Sequence, residues 1–417
     1  MVTTGQRKTY EELRKQKKLI YKKVDRKTKL INFTFMAIGA VIGIFVDVFA
    51  FTADIQGILD IDLFMRNFLI ALLLLIFVMY PLHIILHEAG HLVFGLLTGY
   101  RFLSFRIFSI TFIKKDGRIH LKKYSIKGTA GQCLMYPPEK KEDGSFPYIL
   151  YNLGGGISNL IFSIPVLIPA ALTDNGFVRA LCLTWAFMGI ILALTNLIPM
   201  TFGVQNDGKN LKSIHKDPNM REVFYLQLKI NSEMSDGKQI QEYSPDIFKL
   251  PEGIDDTDML TMYSRMMEYY QQLAFNNFNS AKALLAKMEE KLDKYQPTIL
   301  NMVELERLFF MVLERRPIEE IAVVYERVRI ILGNKTDVST QRIRYIYEAC
   351  LSEEEKFDIM TLIKKKPPKK WKACNLDKLY QDFLKTAKNS PVSGEADLFL
   401  TVVQHVQESP IFIDKNK

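Results

Sequence analysis

Three of the six histidines in this 417-residue chain fall within the run Tyr80-Pro81-Leu82-His83-Ile84-Ile85-Leu86-His87-Glu88-Ala89-Gly90-His91. His87 and His91 stand one helical turn apart, so on a helix both imidazoles project from one face and can share a Zn²⁺ ion. Glu88 lies beside them, placed to reach a zinc-bound water as general base without being a ligand itself. A catalytic zinc takes three protein ligands and keeps one position for water. The candidate third ligand is Asp207, the only acid after Asp174 in the stretch that ends Thr195-Asn196-Leu197-Ile198-Pro199-Met200-Thr201-Phe202-Gly203-Val204-Gln205-Asn206-Asp207-Gly208. Glu139 or Glu142 would take that place in a zincin with a downstream Glu ligand, but both sit in a polar, proline-containing loop. His83, one turn before His87 on the same face, reads equally as a partner or proton relay for the pair and as a satisfied interior histidine.

The elements that must position these groups are hydrophobic. Asn67–Thr98 carries Glu88 as its only formal charge, and Leu30–Thr52 is interrupted only by Asp47. With Tyr148–Leu172 and Val178–Met200 they make four expected spans, at about 30–52, 67–98, 148–172 and 178–200, each long enough for a helix to cross a bilayer. Ionisable groups inside a span are expensive and usually functional, which favours chemistry over packing for His87, Glu88 and His91. Pro81, upstream of these groups, should kink its helix.

Charge orients the spans. The formal net charge of +9 is local: residues 1–30 carry +8, residues 31–98 carry −4, residues 99–147 carry +6, and residues 209–417 balance 32 charges of each sign. By the positive-inside rule the basic arm 1–29 and the loop after the second span lie in the cytoplasm, as does everything after the fourth span. His87, His91 and Asp207 then share the cytoplasmic side. A basic protein seeking nucleic acid is excluded, because the polar C-terminal part is neutral. The basic arm and first apolar run read as an uncleaved signal anchor. Cys133, Cys182, Cys350 and Cys374 are too scattered for a disulfide framework or a Cys zinc site.

Within the expected core, 30–211, residues 101–146 alternate apolar and polar types around Lys115-Asp116-Gly117, the pattern of a β-hairpin in a small cytoplasmic sheet. Residues 212–256 read as a helix opening at Asp217-Pro218 and running to about Met234, followed by a linker. From 257 to 417, caps and prolines place helix starts near Thr257, Ser280, Pro297, Pro317 and Val338, the spacing of stacked helical hairpins resembling tetratricopeptide repeats. The fold class is therefore mainly α: a polytopic membrane core, a β insert, and an all-α, repeat-like cytoplasmic domain.

An HExxH on a transmembrane helix, followed by Asn196-x-x-Pro199 and Asp207-Gly208 at the end of a later one, resembles the site-2 protease family of intramembrane zinc metalloproteases, peptidase family M50. The resemblance covers roughly residues 67–211 and implies that His87, His91 and Asp207 ligate zinc and that Glu88 is the general base. Asn159, in Gly154-Gly155-Gly156-Ile157-Ser158-Asn159, is similar to the Asn of the family's Gly-x-x-Asn element, and Asn196 matches the Asn used near the metal. Pro199 and Asp207 are more widely spaced than the family usually has them, and Asn206 replaces its Leu.

These readings lead to a zinc endopeptidase cutting a membrane-anchored protein or peptide in or near its transmembrane segment. Gly154–Gly156 would supply flexibility, and the 101–146 sheet an edge for substrate. The expected setting is a bacterial cell membrane, crossed several times, with both termini cytoplasmic and a protein partner on the helical domain. The rival reading is an inactive membrane scaffold or adaptor working through that domain.

Overall fold

The computed structural model describes residues 2–26, 73–115, 117–123, 129–202, 204–364 and 372–409. The span expected at 30–52 lies outside them. The chain is mainly helical with a small four-stranded antiparallel sheet, and it divides into two compact units. A core unit comprises Arg26–Phe108 and Gly128–Asp217; a helical unit comprises Met1–Asp25, Ser109–Lys127 and Pro218–Lys417.

The first described helix, α1, spans residues 4–26 and belongs to the helical unit. In the core unit α2 (Tyr80–Leu97) follows a π-helical turn, Leu75–Met79. The expected effect of Pro81 takes this form: the ring has no N–H to give the helix ladder, and the register widens in the turn before it. Next come α3 (Ile149–Ser163), a 3₁₀ turn at Ile164–Val166 that contains Pro165, α4 (Leu167–Leu172) and α5 (Gly176–Leu197). Phe77–Leu97 and Ile149–Leu172 are long and apolar enough to cross a membrane. Helix α5 is apolar over Leu181–Leu197.

Polarity in these helices is reversed relative to a water-soluble bundle. Leu82, Val93, Leu97, Phe162, Ile168 and Phe187 face outward, whereas His83, Glu88, His91, Asn152, Ser158 and Asn159 are buried. Outward apolar and inward polar faces are the arrangement expected of helices in lipid. Helices α2 and α3 meet at Gly90 and Gly154, where a Cβ on Gly90 would run into the Gly154 carbonyl and stand 2.6 Å from Ser158 Cβ. Small residues let two backbones approach this closely.

The strands are β1 (Arg101–Ile107), β2 (Ile110–Lys115), β3 (Arg118–Lys123) and β4 (Gly131–Tyr136), in the sheet order β3-β2-β1-β4. In the core unit β1 pairs with β4 from Arg101↔Tyr136 to Ile107↔Gly131. The expected hairpin is β2–β3, with Gly117 at a positive φ of 75° in its turn. A second, minimal hairpin pairs β5 (Thr201–Phe202) with β6 (Val204–Gln205) and leads into α6 (Asp207–Lys216).

The helical unit contains α7 (Pro218–Ser235), α8 (Met259–Ala274), α9 (Phe278–Glu289), α10 (Pro297–Leu313), α11 (Ile318–Leu332), α12 (Val338–Cys350), α13 (Glu353–Lys364), α14 (Leu376–Asn389) and α15 (Ser393–Gln407). Helix starts agree with the caps and prolines read from the sequence to within two residues. Helix α10 packs on α11 and α12, and α11 on α12 and α13, as stacked hairpins do. Asn276 and Arg315 take positive φ of 62° and 54° at equivalent turns of successive hairpins. The stretch read as a linker is packed: Ile240, Tyr243 and Phe248 are buried, and the Gln271 amide donates to Ile240 O and Tyr243 O. The basic arm also has a place here, as α1. Its Tyr10 and Val24 are buried, Arg14 pairs with Glu326 at 2.7 Å, and Asp25 accepts from Arg327 at 2.7 Å.

Candidate metal centre

Helix α2 places His87 and His91 on one face, as their spacing requires, and the chain brings Asp207 to them from the first turn of α6. His87 Nε2 lies 3.2 Å from Asp207 Oδ2, His91 Nε2 lies 3.4 Å from the same oxygen, and the two imidazole nitrogens are 3.2 Å apart. Ligand atoms bound to a tetrahedral ion at about 2.0–2.1 Å stand about 3.3–3.4 Å from one another. The three donors therefore already form one face of a zinc-sized tetrahedron. Among the described residues these three are the only His/Cys/Asp/Glu group close enough to hold a metal. Glu139 and Glu142 are exposed and outside the group.

Each ligand is oriented by a specific neighbour. His91 Nδ1 donates to Tyr151 O at 2.7 Å, which leaves Nε2 with its lone pair toward the cluster. Asp207 is half-buried, and its Oδ2 faces both imidazoles. Its position depends on Asn206. The Asn206 side chain accepts from Lys209 N at 2.9 Å as N-cap of α6 and from Met200 N at 3.0 Å, while its amide donates to Thr195 O and Ile198 O. The wider interval between Pro199 and Asp207 is taken up by the β5–β6 hairpin, which Asn206 staples shut. Leu at 206 could not make these four bonds.

The cradle opposite the ligands is backbone. A Cβ on Gly155 would stand 2.5 Å from His87 Nε2 and 2.6 Å from His91 Nε2, against both imidazoles. The Gly154–Gly156 run is thus the middle of α3, packed and buried, and it supplies room where flexibility was expected. Glu88 lies against Gly131 at the start of β4, where a Cβ on the glycine would stand 2.6 Å from Glu88 Cγ. Arg106, buried in β1, holds this spot by donating to Phe108 O, Thr129 O and Gly131 O. Neither Arg106 nor Gly131 was legible as part of the site. The only sequence signal was a lone Arg in an apolar strand register.

The supporting residues divide. Asn159 is buried with its amide nitrogen 3.5 Å from His87 Nδ1, so it belongs to the site. His83 is fully buried, its Nε2 3.1 Å from Trp185 O and its ring 4.2 Å from the Trp185 ring. Asn196 turns its amide back on Leu192 O of its own helix at 2.9 Å. The donor set of two imidazoles and one carboxylate is of a kind that suits a divalent ion such as zinc. No family model matches the chain, and neither a curated protein nor a solved structure matches it.

Proposed function

We propose that this protein is an intramembrane zinc metalloprotease of the site-2 protease kind, hydrolysing a peptide bond in or near the transmembrane segment of a membrane-anchored protein or peptide. The observation that carries this reading is the triangle of His87 Nε2, His91 Nε2 and Asp207 Oδ2 at 3.2–3.4 Å, with Glu88 on the following residue of the same helix. When bound, zinc supplies Lewis acidity, lowering the pKa of a water to roughly 7 and polarising the scissile carbonyl. Glu88 takes the proton of the attacking water and returns it to the leaving amine.

In the same proposal the core crosses the membrane four times with both termini in the cytoplasm, as the charge pattern indicates. The lipid-facing residues of α2 and α3 support this placement. The test is a purified full-length protein in lipid nanodiscs, assayed on membrane-anchored substrates selected by comparing membrane peptides of wild-type and E88Q strains. E88Q should keep its zinc and its folding and lose about 10²–10⁴-fold in turnover. Cleavage that survives both E88Q and zinc chelation would end the proposal.

A further inference from the structure

Helix α1 has two faces, and one of them is used inside the helical unit. That face turns Tyr10, Arg14, Lys17, Tyr21 and Val24 inward, at the three- and four-residue intervals that share one side of a helix. Tyr10 and Val24 are buried, Tyr10 and Arg14 both meet Glu326, and Lys17 and Tyr21 both meet Glu304. Lys23, at the margin, pairs with Asp293 at 2.6 Å. These cations each meet an acid of the same unit, so their charge is neutralised where it stands.

The opposite face carries Lys8, Lys15, Leu19, Lys22 and Arg26, whose spacing puts them on a single stripe of the helix. All five are exposed, Leu19 to 74%. Among the described residues these four cations have no ion-pair partner. Glu12 is the exposed acid beside them, while Glu11 pairs with Arg14. Solubility is served by charges of mixed sign, and membrane topology needs cations near a span without sorting them by face. A flat anionic surface is what selects a helix sorted in this way.

In the membrane placement proposed above, the chain enters the bilayer at about residue 30, which puts Arg26 close to the headgroups. From Lys8 to Arg26 the stripe is about 27 Å long at 1.5 Å per residue, whereas a charge is screened within about 8 Å at physiological salt. An upright helix would leave Lys8 and Lys15 out of range. One lying flat brings every cation of the stripe to the surface.

We infer that α1 lies along the cytoplasmic surface of the bilayer, with Lys8, Lys15, Lys22 and Arg26 on anionic phospholipid headgroups and Leu19 entering the interface between them. The apolar stems of the lysines let their ammonium groups stay at headgroup level while Leu19 sits deeper. The helix is then an adaptor: its inner face clamps the helical unit through Glu304 and Glu326, and its outer face holds lipid. This inference rests on the membrane placement and is independent of the metal centre.

The test places full-length L19W in nanodiscs of phosphatidylglycerol or of phosphatidylcholine, with bromine on the acyl chains as a short-range quencher of tryptophan. The signal of Trp185 and Trp371 is subtracted using the wild type. The introduced indole should lose most of its emission in the anionic discs and little in the neutral ones, and regain it at about 1 M salt, where screening acts within about 3 Å. Adding K8Q/K15Q/K22Q should lower the docked-to-undocked ratio about fivefold per lysine, about 100-fold in all, and abolish the quenching. In the wild type, acetylation of Lys8, Lys15 and Lys22 followed by mass spectrometry should be slower in the anionic discs than in the neutral ones, a comparison that needs no variant.

Quenching that is equal in the two lipids and undiminished by K8Q/K15Q/K22Q overturns the docking on anionic headgroups. An inserted protein with no quenching in either lipid, or with equal acetylation in both, leaves the stripe to water or to a protein and overturns it too. A protein that does not insert into the discs overturns the membrane placement, and the docking with it.

Discussion

The two units each bury a constellation of ionisable groups, and they do so to opposite ends. In the helical unit Arg342 and Glu306 are sealed from solvent, with Arg342 Nη2 donating to both Glu306 oxygens at 2.6 and 2.7 Å. The hydroxyls of Tyr269 and Tyr270 complete the carboxylate, and the guanidinium lies 4.8 Å from the Phe309 ring and 5.0 Å from the Phe399 ring. Cation, anion and hydroxyl donors are all supplied by the chain, so in charge the set is closed, although Arg342 Nε and Nη1 lack hydrogen-bond partners among the described residues. In the core unit His87, His91 and Asp207 point three lone-pair donors at one spot walled by glycine backbone. Nothing in that set plays the part of Arg342. A constellation that carries both charges holds a fold together, whereas one made only of Lewis bases is a candidate for the ion proposed above.

The contrast breaks most directly at Gly155. In G155A the added methyl enters the space between His87 and His91, and zinc content measured by elemental analysis should fall from stoichiometric to near zero while helical content by circular dichroism stays unchanged. Full zinc occupancy in G155A would show that the donors do not enclose the ion. At the closed constellation the expected effect is on stability alone. R342M strands a buried carboxylate and should cost about 3–5 kcal/mol by denaturant unfolding, with zinc content unchanged. The double variant R342M/E306M should recover most of that loss, because a buried pair is replaceable by apolar groups of similar volume. A metal triad replaced in the same way recovers nothing.

The smallest effect concerns Glu395 in α15, near Asp337, Tyr263 and Tyr270. Burial, with Asp337 adding to it, pushes its carboxyl up to about 7 from the ordinary 4.5. The folded state therefore binds this proton more tightly than the unfolded chain. The resulting stability is fully present below pH 4.5 and is lost as the pH rises through 7. E395Q should flatten this part of the profile, raising Tm by about 2–4 °C at pH 8 and leaving it unchanged at pH 4.5. An equal shift at both pH values would assign the effect to packing.

What could be read in advance follows the range of the interactions. Helix starts at Pro297, Pro317 and Val338 are set by caps and prolines within one turn, and the structure has α10, α11 and α12 starting at Pro297, Ile318 and Val338. The β2–β3 hairpin is equally local, since its turn residues and alternation lie within one short stretch. The arm at residues 4–26 was legible only as charge. Its helix is fastened by Arg14 to Glu326 and by Asp25 to Arg327, partners some three hundred residues away. The segment after Ser235 is polar enough to read as a linker, and only the buried positions of Ile240, Tyr243 and Phe248 show that it is packed.

At the candidate site the same division holds. His87, Glu88 and His91 were determined by sequence alone, because a helix of 3.6 residues per turn puts positions four apart on one face whatever surrounds them. The apolar character of the segments around them was equally fixed by composition. Tertiary structure decided that Asp207 reaches the pair through the β5–β6 hairpin and its Asn206 clasp, and that Gly155 leaves the room between them. It also decided that Glu88 rests on Gly131 beneath Arg106, and that Asn159 stands beside His87. These are distances between residues far apart in the chain, and no local periodicity encodes them. They exist only once the backbones of α2 and α3 have packed at Gly90 and Gly154.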